Sequence, residues 1–581
     1  MEYLDLGIIL VYLIFLLAAG VFFARRASSS PDSYFLGQNR LPWWALGASG
    51  MSSNLDVAGT MTLVTLFYVI GVQAFFVEMR GGVVLPIAVF LAFIGKWHRR
   101  SEVMTTAEWM HLRFGSGWQG NAARIMAAFT YLIITVGMVV FFLAASGRFL
   151  APFIPLTEEQ CTWLVLAVAV VYTMLSGLHG VVWTDVLQSG LLIGAALYVA
   201  VTAFFLYTPE LAAQWEGAEW NQLYPPMTAE GLGSSLGVDY SVFGFFLLAW
   251  IAKGLVEGLG GSGGSAYMAQ RYYAARNERD CMRIGMVWTL CFAIRWPMVL
   301  GFAILGVALG LQDQNPEGVL PAVLSSEYFP PGIRGLVLAA MLAAAMSTFD
   351  STLNAGASYV VQDIYKPLRK HASNRELVWV GYASLLGIVG IGLILNAQVE
   401  SILDVWVTIV IQLFPAFLVP FALRWFWGRL NGAGFSLGIL AGFAAAFGLG
   451  ALELGWNDVQ MLGTIGAASL LGVLIGTYNF SPTTKSVSQT FYDRVRPFGW
   501  WPKAWTRPHR REHRADGLRL FIALIWQICT FLLPMGIMLR LWDQTAIAAA
   551  LWIVATIYLA REAFGKTPSE DPQETIGTNS K

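Results

Sequence analysis

The sequence is short of charge. Only 12% of its 581 residues are Asp, Glu, Lys or Arg, against about a quarter in soluble domains. With 56% hydrophobic residues and a mean hydropathy of +0.60, such a chain cannot cover itself with polar surface. That excludes a soluble enzyme, a nucleic-acid binder and a disordered scaffold. Cysteine is scarce too. Cys161, Cys281, Cys291 and Cys529 form no C-x-x-C pair, so neither a disulfide framework nor a zinc site is suggested. Net charge is absent, with 36 basic and 36 acidic residues. Residues 1–23 are apolar, lack a basic leader and are followed by Arg25 and Arg26. They read as a first membrane span that is retained.

Long apolar runs are what the chain has. A membrane helix needs about 20 such residues. Fifteen runs fit, near 4–24, 43–70, 75–95, 122–151, 160–176, 181–207, 240–263, 282–310, 333–361, 376–395, 401–427, 433–452, 459–478, 518–538 and 543–561. Basic residues cluster in alternate loops, with Arg25, Arg26 and Arg40; Lys96, Arg99, Arg100 and Arg113; Arg271, Arg276, Arg279 and Arg283; and Lys366, Arg369, Lys370 and Arg375. Residues 208–239 and 311–332 contain acids but no Lys or Arg. The positive-inside rule then puts the N-terminus outside and the C-terminus in the cytoplasm of a cell-membrane protein. Arg540 is the exception among the outer loops. Residues 481–516 are basic and carry Trp500, Trp501 and Trp505. The favoured reading is a topogenic loop on anionic head groups; a regulatory partner site is the other. Residues 563–581 read as a disordered tail.

Two spans are broken by glycine and polar residues: Gly47-Ala-Ser-Gly-Met-Ser-Ser-Asn-Leu-Asp-Val-Ala-Gly59 and Lys253-Gly-Leu-Val-Glu-Gly-Leu-Gly-Gly-Ser-Gly-Gly-Ser265. They lie five spans apart, so each opens a block of five, and blocks of odd number have opposite topology. Interrupted helices at matching places of inverted halves point to a transport site near the midplane. Glycine for close helix packing is the alternative in the second break; it does not explain Asn54 and Asp56 in the first. Charges within spans need a partner or a function. Lys253 and Glu257 stand i,i+4, fitting an ion pair or a solute contact equally well. In the ninth span, Ala344, Ser347, Thr348 and Ser351 share one helix face. Their oxygens suit a hard cation, with back-bonding to their own helix as the plainer account. The G-x-G-x-x-G at 258–263 and the H-x-x-E-H at 509–513 sit in a span and in a basic loop, the wrong settings for a dinucleotide or a zinc hydrolase.

Four segments together resemble the sodium:solute symporters, which include sodium-coupled sugar, sialic acid and proline transporters. They are Pro42-Trp-Trp-Ala-Leu-Gly-Ala-Ser-Gly-Met-Ser-Ser-Asn54, Ser176-Gly-Leu-His-Gly-Val-Val-Trp-Thr-Asp-Val-Leu-Gln188, Gln270-Arg-Tyr-Tyr-Ala-Ala-Arg-Asn277, and Ala345-Met-Ser-Thr348 through Asp363-Ile-Tyr365. The resemblance implies an all-α leucine-transporter-type fold of 5+5 inverted repeats. Its parts are an extra span and loop (1–41), repeats at 42–239 and 240–430, two further spans (431–480), the basic loop and a C-terminal hairpin (517–562). It implies sodium bound by the carbonyls of Ser52, Leu55 and Ala344 and the hydroxyls of Ser347 and Thr348. A second sodium or proton site maps to Asp185, Ser347, Asp350 and Ser351, although position 350 bears a hydroxyl in relatives. There Asp350 either joins the site or pairs with Arg295. The expected solute contacts are Asn54, Asp56, Glu78, Lys253, Glu257 and Gln412, with a sugar, a sugar acid or an amino acid as cargo. The implied protein is a monomeric importer in a lipid bilayer, with sodium as co-transported ion, no organic cofactor, no nucleic acid and no enzymatic step. An ion channel and a membrane sensor are the rival classes. A channel predicts a continuous polar stripe, and a sensor needs an output domain for which about 20 residues after the last span are too few.

Overall fold

The computed structural model describes residues 2–27, 41–81, 83–103, 105–213, 222–229, 240–261, 266–311, 315–452 and 454–565, with the side chains of 23–27 and 175–180 left aside. Arg40, Glu216, Glu219, Glu230, Asp239, Asp313, the last four residues of the second glycine-rich break and most of the expected tail lie outside the described residues.

The helices, in chain order, are α1 (Tyr3–Ala27), α2 (Trp43–Ser52), α3 (Val57–Ile70), α4 (Trp118–Leu150), α5 (Glu158–Leu206), α6 (Phe243–Leu259), α7 (Ala266–Tyr273), α8 (Glu278–Phe292), α9 (Arg295–Ala308), α10 (Ile333–Tyr359), α11 (Asn374–Asn396), α12 (Ile402–Val407), α13 (Pro415–Phe426), α14 (Gly432–Leu452), α15 (Asp458–Asn479), α16 (Lys485–Val495), α17 (Arg510–Met538) and α18 (Trp542–Phe564). Among the described residues, ten helices are long and apolar enough to cross a membrane, or twelve if two bent pairs each form one span. Two of the other three expected runs fall on shorter elements. Residues 75–95 hold the turns Glu78–Arg80 and Pro86–Val89 and a π-helical stretch Phe90–Ile94. Residues 240–263 fall on α6. The third, 160–176, falls on the first part of α5, which also carries the run 181–207.

Helix starts follow local chemistry. Thr157 and Asn457 form capping boxes with Gln160 and Gln460, so each satisfies orphan amides reciprocally. The N-terminus of α10 has no cap of its own. Asp5 of α1, fully buried, accepts from Gly332 N at 2.7 Å and Gly335 N at 2.9 Å. The helix in the middle is thus capped by the helix at the edge. Burial orders them: 94% of the apolar window of α10 is inside the protein, against 22% for α1. α10 is the axis on which α1, α4 and α5 pack.

Part of the basic loop packs against the helix ends. Phe491, Tyr492 and Val495 are buried, and the Trp501 indole donates to the Trp425 carbonyl at 2.9 Å. Arg113 stacks on Trp501, 4.8 Å from its ring centre. Burying a large side chain is worth about 1.5–3 kcal/mol, and the loop's aromatic side chains find arginines to cover at the helix ends. Trp500 alone stays 72% exposed. Glu512 of the H-x-x-E-H pattern is likewise held rather than solvated. It pairs with Lys96 at 2.8 Å and with Arg100 at 2.7 Å.

Candidate functional site

The bent pair α2–α3 organises the interior. Helix stops at Ser52 and resumes at Val57, turned by 61°. Asp56 causes the restart: its backbone is extended and its carboxylate accepts from Gly59 N, which makes it the N-cap of α3. Small residues let α2 approach α8. A Cβ added at Gly47 would come within 2.9 Å of Val287. The break exposes backbone carbonyls that no helix satisfies. Two are taken from elsewhere: Thr348 Oγ1 donates to Ser53 O at 3.0 Å, and Arg295 Nη1 donates to Asn54 O at 2.5 Å.

The second glycine-rich break divides its glycines between two duties. Added Cβ atoms at Gly254 and Gly258 would meet Met79 O and Val89 at 2.7 Å, so these two serve close packing. Gly261 makes the turn, with φ +69°, a conformation glycine adopts without cost. The carbonyl of Gly260 accepts from Arg424 Nη2 at 3.0 Å and Trp425 Nε1 at 3.2 Å.

On one side of residues 53–56 lies a cluster rich in hydroxyls. Asp185 accepts from Ser347 Oγ and from Ser49 Oγ, both at 2.5 Å. Thr348 Oγ1 also reaches Ala344 O at 3.2 Å. Ser52 and Leu55 are fully buried beside it, and the Ser52 hydroxyl has no partner. Arg271 enters from α7. Its Nη2 donates to Ser351 at 2.7 Å, Ser53 at 2.9 Å and Ser49 at 3.1 Å, and lies 3.7 Å from Asp185. Asp350 is fully buried and neither carboxylate oxygen accepts a hydrogen bond. The structure therefore brings together Ser347, Thr348, Ala344, Asp185 and Ser351 with the unwound backbone. It does not form an Asp350–Arg295 pair. Arg295 sits across the break with Asn54 and Asp56, and the arginine facing Asp350 is Arg271. Sequence reasoning took Arg271 for a topogenic charge. Its signal was its place on the short helix directly after a broken span.

On the other side lies a small cavity with polar and aromatic walls. Asn54, Asp56 and Glu78 line it as expected. So do Thr62, Tyr267, Arg295, Trp296, Trp406 and Phe414, which sequence reasoning did not single out as solute contacts; it weighed only Arg295, as one cation for a carboxylate. Tyr267 Oη donates to Asn54 Oδ1 at 3.0 Å. Three expected contacts are not in the lining. Lys253 and Glu257 pair with each other at 2.7 Å, and Lys253 Nζ lies 4.7 Å over the Phe414 ring, one layer behind the wall. Gln412 stands two residues from Phe414 and so about 200° around the helix. Its Oε1 turns to Gly450 of α14.

Comparison with known proteins places these features. The sodium/sialic acid symporter NanT of Aliivibrio fischeri is 24% identical over 491 residues, 82% of this chain and 92% of that one. The sodium/proline symporter of Haemophilus influenzae is 26% identical over 475 residues, 75% and 86% of the two chains. A solved structure of a Na+-coupled sialic acid symporter, substrate-bound and outward-open, superposes with a TM-score of 0.64 at 20% identity, over 83% of this chain and 99% of that one. It shows that the two share a fold. The family model described as the sodium:solute symporter family matches residues 34–442, more than half of the sequence. The chain belongs to the sodium:solute symporter family.

Proposed function

We propose that this protein imports a small polar organic solute together with sodium, by alternating access. The observation that carries the reading is the break at 53–56, which has an oxygen-rich cluster on one side and a cavity lined by polar and aromatic side chains on the other. A sodium ion drawing on the carbonyls of Ser52, Leu55 and Ala344 and on the Ser347 and Thr348 hydroxyls would hold α2 to α10. The same segment carries Asn54 and Asp56 to the solute. Occupancy of one side would then set the shape of the other, which is the physical content of coupling. Asp185, Asp350 and Ser351 extend the oxygen-rich pocket to a second cation. Spans 2–6 and 7–11 act as two inverted blocks, the monomer is the working unit, and the basic loops face the cytoplasm.

Reconstituted protein should take up solute only when a sodium gradient is imposed. Changing Ser347→Ala with Thr348→Ala should raise half-saturating sodium by about tenfold or more, the equivalent of losing roughly 1.4 kcal/mol of ligation, while the protein stays folded. Unchanged sodium activation in that double variant would refute the assignment.

A further inference from the structure

Charge does not balance around the cavity. Asp56, Glu78 and Arg295 are its ionisable lining residues. Arg295 is bound to the broken helix through Asn54 O at 2.5 Å and stands between two carboxylates, Asp56 and Glu78. Two further cations, Arg80 and Lys253, face Glu78 from behind the wall. Each already has its own carboxylate: Asp458 lies 3.2 Å from Arg80, and Glu257 lies 2.7 Å from Lys253. Four carboxylates thus share three cations, and Glu78 shares each of its cations with another carboxylate and forms no ion pair of its own. That side chain is 7% exposed. The Trp406 indole lines the same cavity, and Glu78 Oε2 is buried with no hydrogen-bond partner.

Resting on the symport reading above, we infer that the solute is a small organic monocation, an amine or quaternary ammonium, whose nitrogen docks between Glu78 and the aromatic wall of Trp406 and Phe414. An unpaired buried carboxylate is costly and gains most from a guest of opposite charge. Aromatic faces add attraction to a cationic nitrogen once water is displaced. A neutral sugar would leave the charge unmatched, and a sugar acid would double it. A zwitterion would bring a carboxylate to a cavity whose one lining cation is already engaged.

The test is binding to the purified full chain in nanodiscs, by calorimetry and thermal shift, with and without sodium. The probes are choline and ethanolamine as monocations, glycine betaine and proline as zwitterions, and glucose and sialic acid as neutral and acidic solutes. Sodium-dependent binding of choline or ethanolamine, exceeding that of the other four, is the expected result. Glu78→Gln should weaken it at least about 30-fold, the low end of what losing one partner of a buried charge pair costs. Glu78→Asp, which keeps the charge, should retain part of it. Absence of monocation binding, stronger binding of a sugar, acid or zwitterion, or equal affinity in a folded Glu78→Gln protein overturns the inference. If a sugar or zwitterion instead binds in a sodium-dependent way, the cation inference fails and sodium coupling stands. If sodium changes the binding of none of the probes that bind, the symport reading is what fails.

Discussion

Two clusters flank the break at 53–56, and they have the same formal make-up: two carboxylates and one arginine. Asp185, Asp350 and Arg271 form one; Asp56, Glu78 and Arg295 form the other. What differs is the rest of the wall. The first is completed by Ser49, Ser53, Ser347 and Ser351, and the second by Trp296, Trp406 and Phe414. Hydroxyls and carbonyls replace the water shell of a small hard ion. Aromatic faces replace water around a larger, weakly hydrated cation. On the proposed reading, formal charge does not decide what each side holds. The neighbours do, and a single unwound turn keeps the two apart while joining them mechanically.

The comparison breaks most readily at Arg271. Its Nη2 serves three serines and a carboxylate, so Arg271→Ala leaves Asp185 and Asp350 buried together without a fixed cation. Stranding buried charge costs about 3–5 kcal/mol, and the variant should melt well below the parent protein. Because a bound cation stabilises the state that binds it, high sodium should restore part of the loss. Melting at the parent temperature in low sodium would mean that the hydroxyl cluster needs no charge balance, and the likeness between the two clusters would be only formal.

Asp350→Asn gives a smaller and sharper result. Neither oxygen of Asp350 accepts a hydrogen bond, so the amide gives up the charge facing Arg271 but breaks no bond, and the protein should fold. If the cluster takes a second sodium, the Hill coefficient for sodium activation should fall toward one, with solute affinity at saturating sodium nearly kept. Parental cooperativity in the folded variant would assign both carboxylates to Arg271 and leave one sodium per cycle.

The two clusters were not equally legible in the sequence. The hydroxyl side could be read because its residues sit at helical spacing on one span, Ser347, Thr348 and Ser351, with Asp185 in a recognisable motif. The cavity side could be read at Asn54, Asp56, Glu78 and Arg295. Its aromatic lining comes from α4, α7, α8, α9, α12 and the turn before α13, each supplying one residue. Nothing in composition separates Trp406 or Phe414 from a packing residue. Arg271 and the aromatic residues of the 481–516 loop were misplaced for a common reason. In a membrane protein a basic or amphipathic residue beside a span reads as interfacial, and burial inside the bundle leaves no mark on the local pattern. The capping of α10 by Asp5 was equally hidden, since the two lie 327 residues apart or more.

The finest distinction concerns Gln412, which the family pattern placed at the solute. Trp406 and Phe414 are eight residues apart and share a face toward the cavity, whereas Gln412 lies on the opposite side with Oε1 beside Gly450. A π-helical stretch, Thr408–Leu413, separates α12 from α13, and the 44° bend there fixes which residues turn inward. Gln412→Ala should therefore leave solute affinity within about twofold, the range of a surface change away from any buried network. Trp406→Ala, which removes an aromatic face from the cavity that Glu78 lines, should weaken binding by tenfold or more, as loss of a desolvated cation–aromatic contact implies. Measured side by side at saturating sodium, the two variants separate wall from backing. A loss at Gln412 equal to that at Trp406 would mean that the bend relaxes when solute binds and that position 412 rotates into the cavity. The aromatic wall would then be one state of a moving surface, and the contrast with the hydroxyl cluster would hold for that state alone.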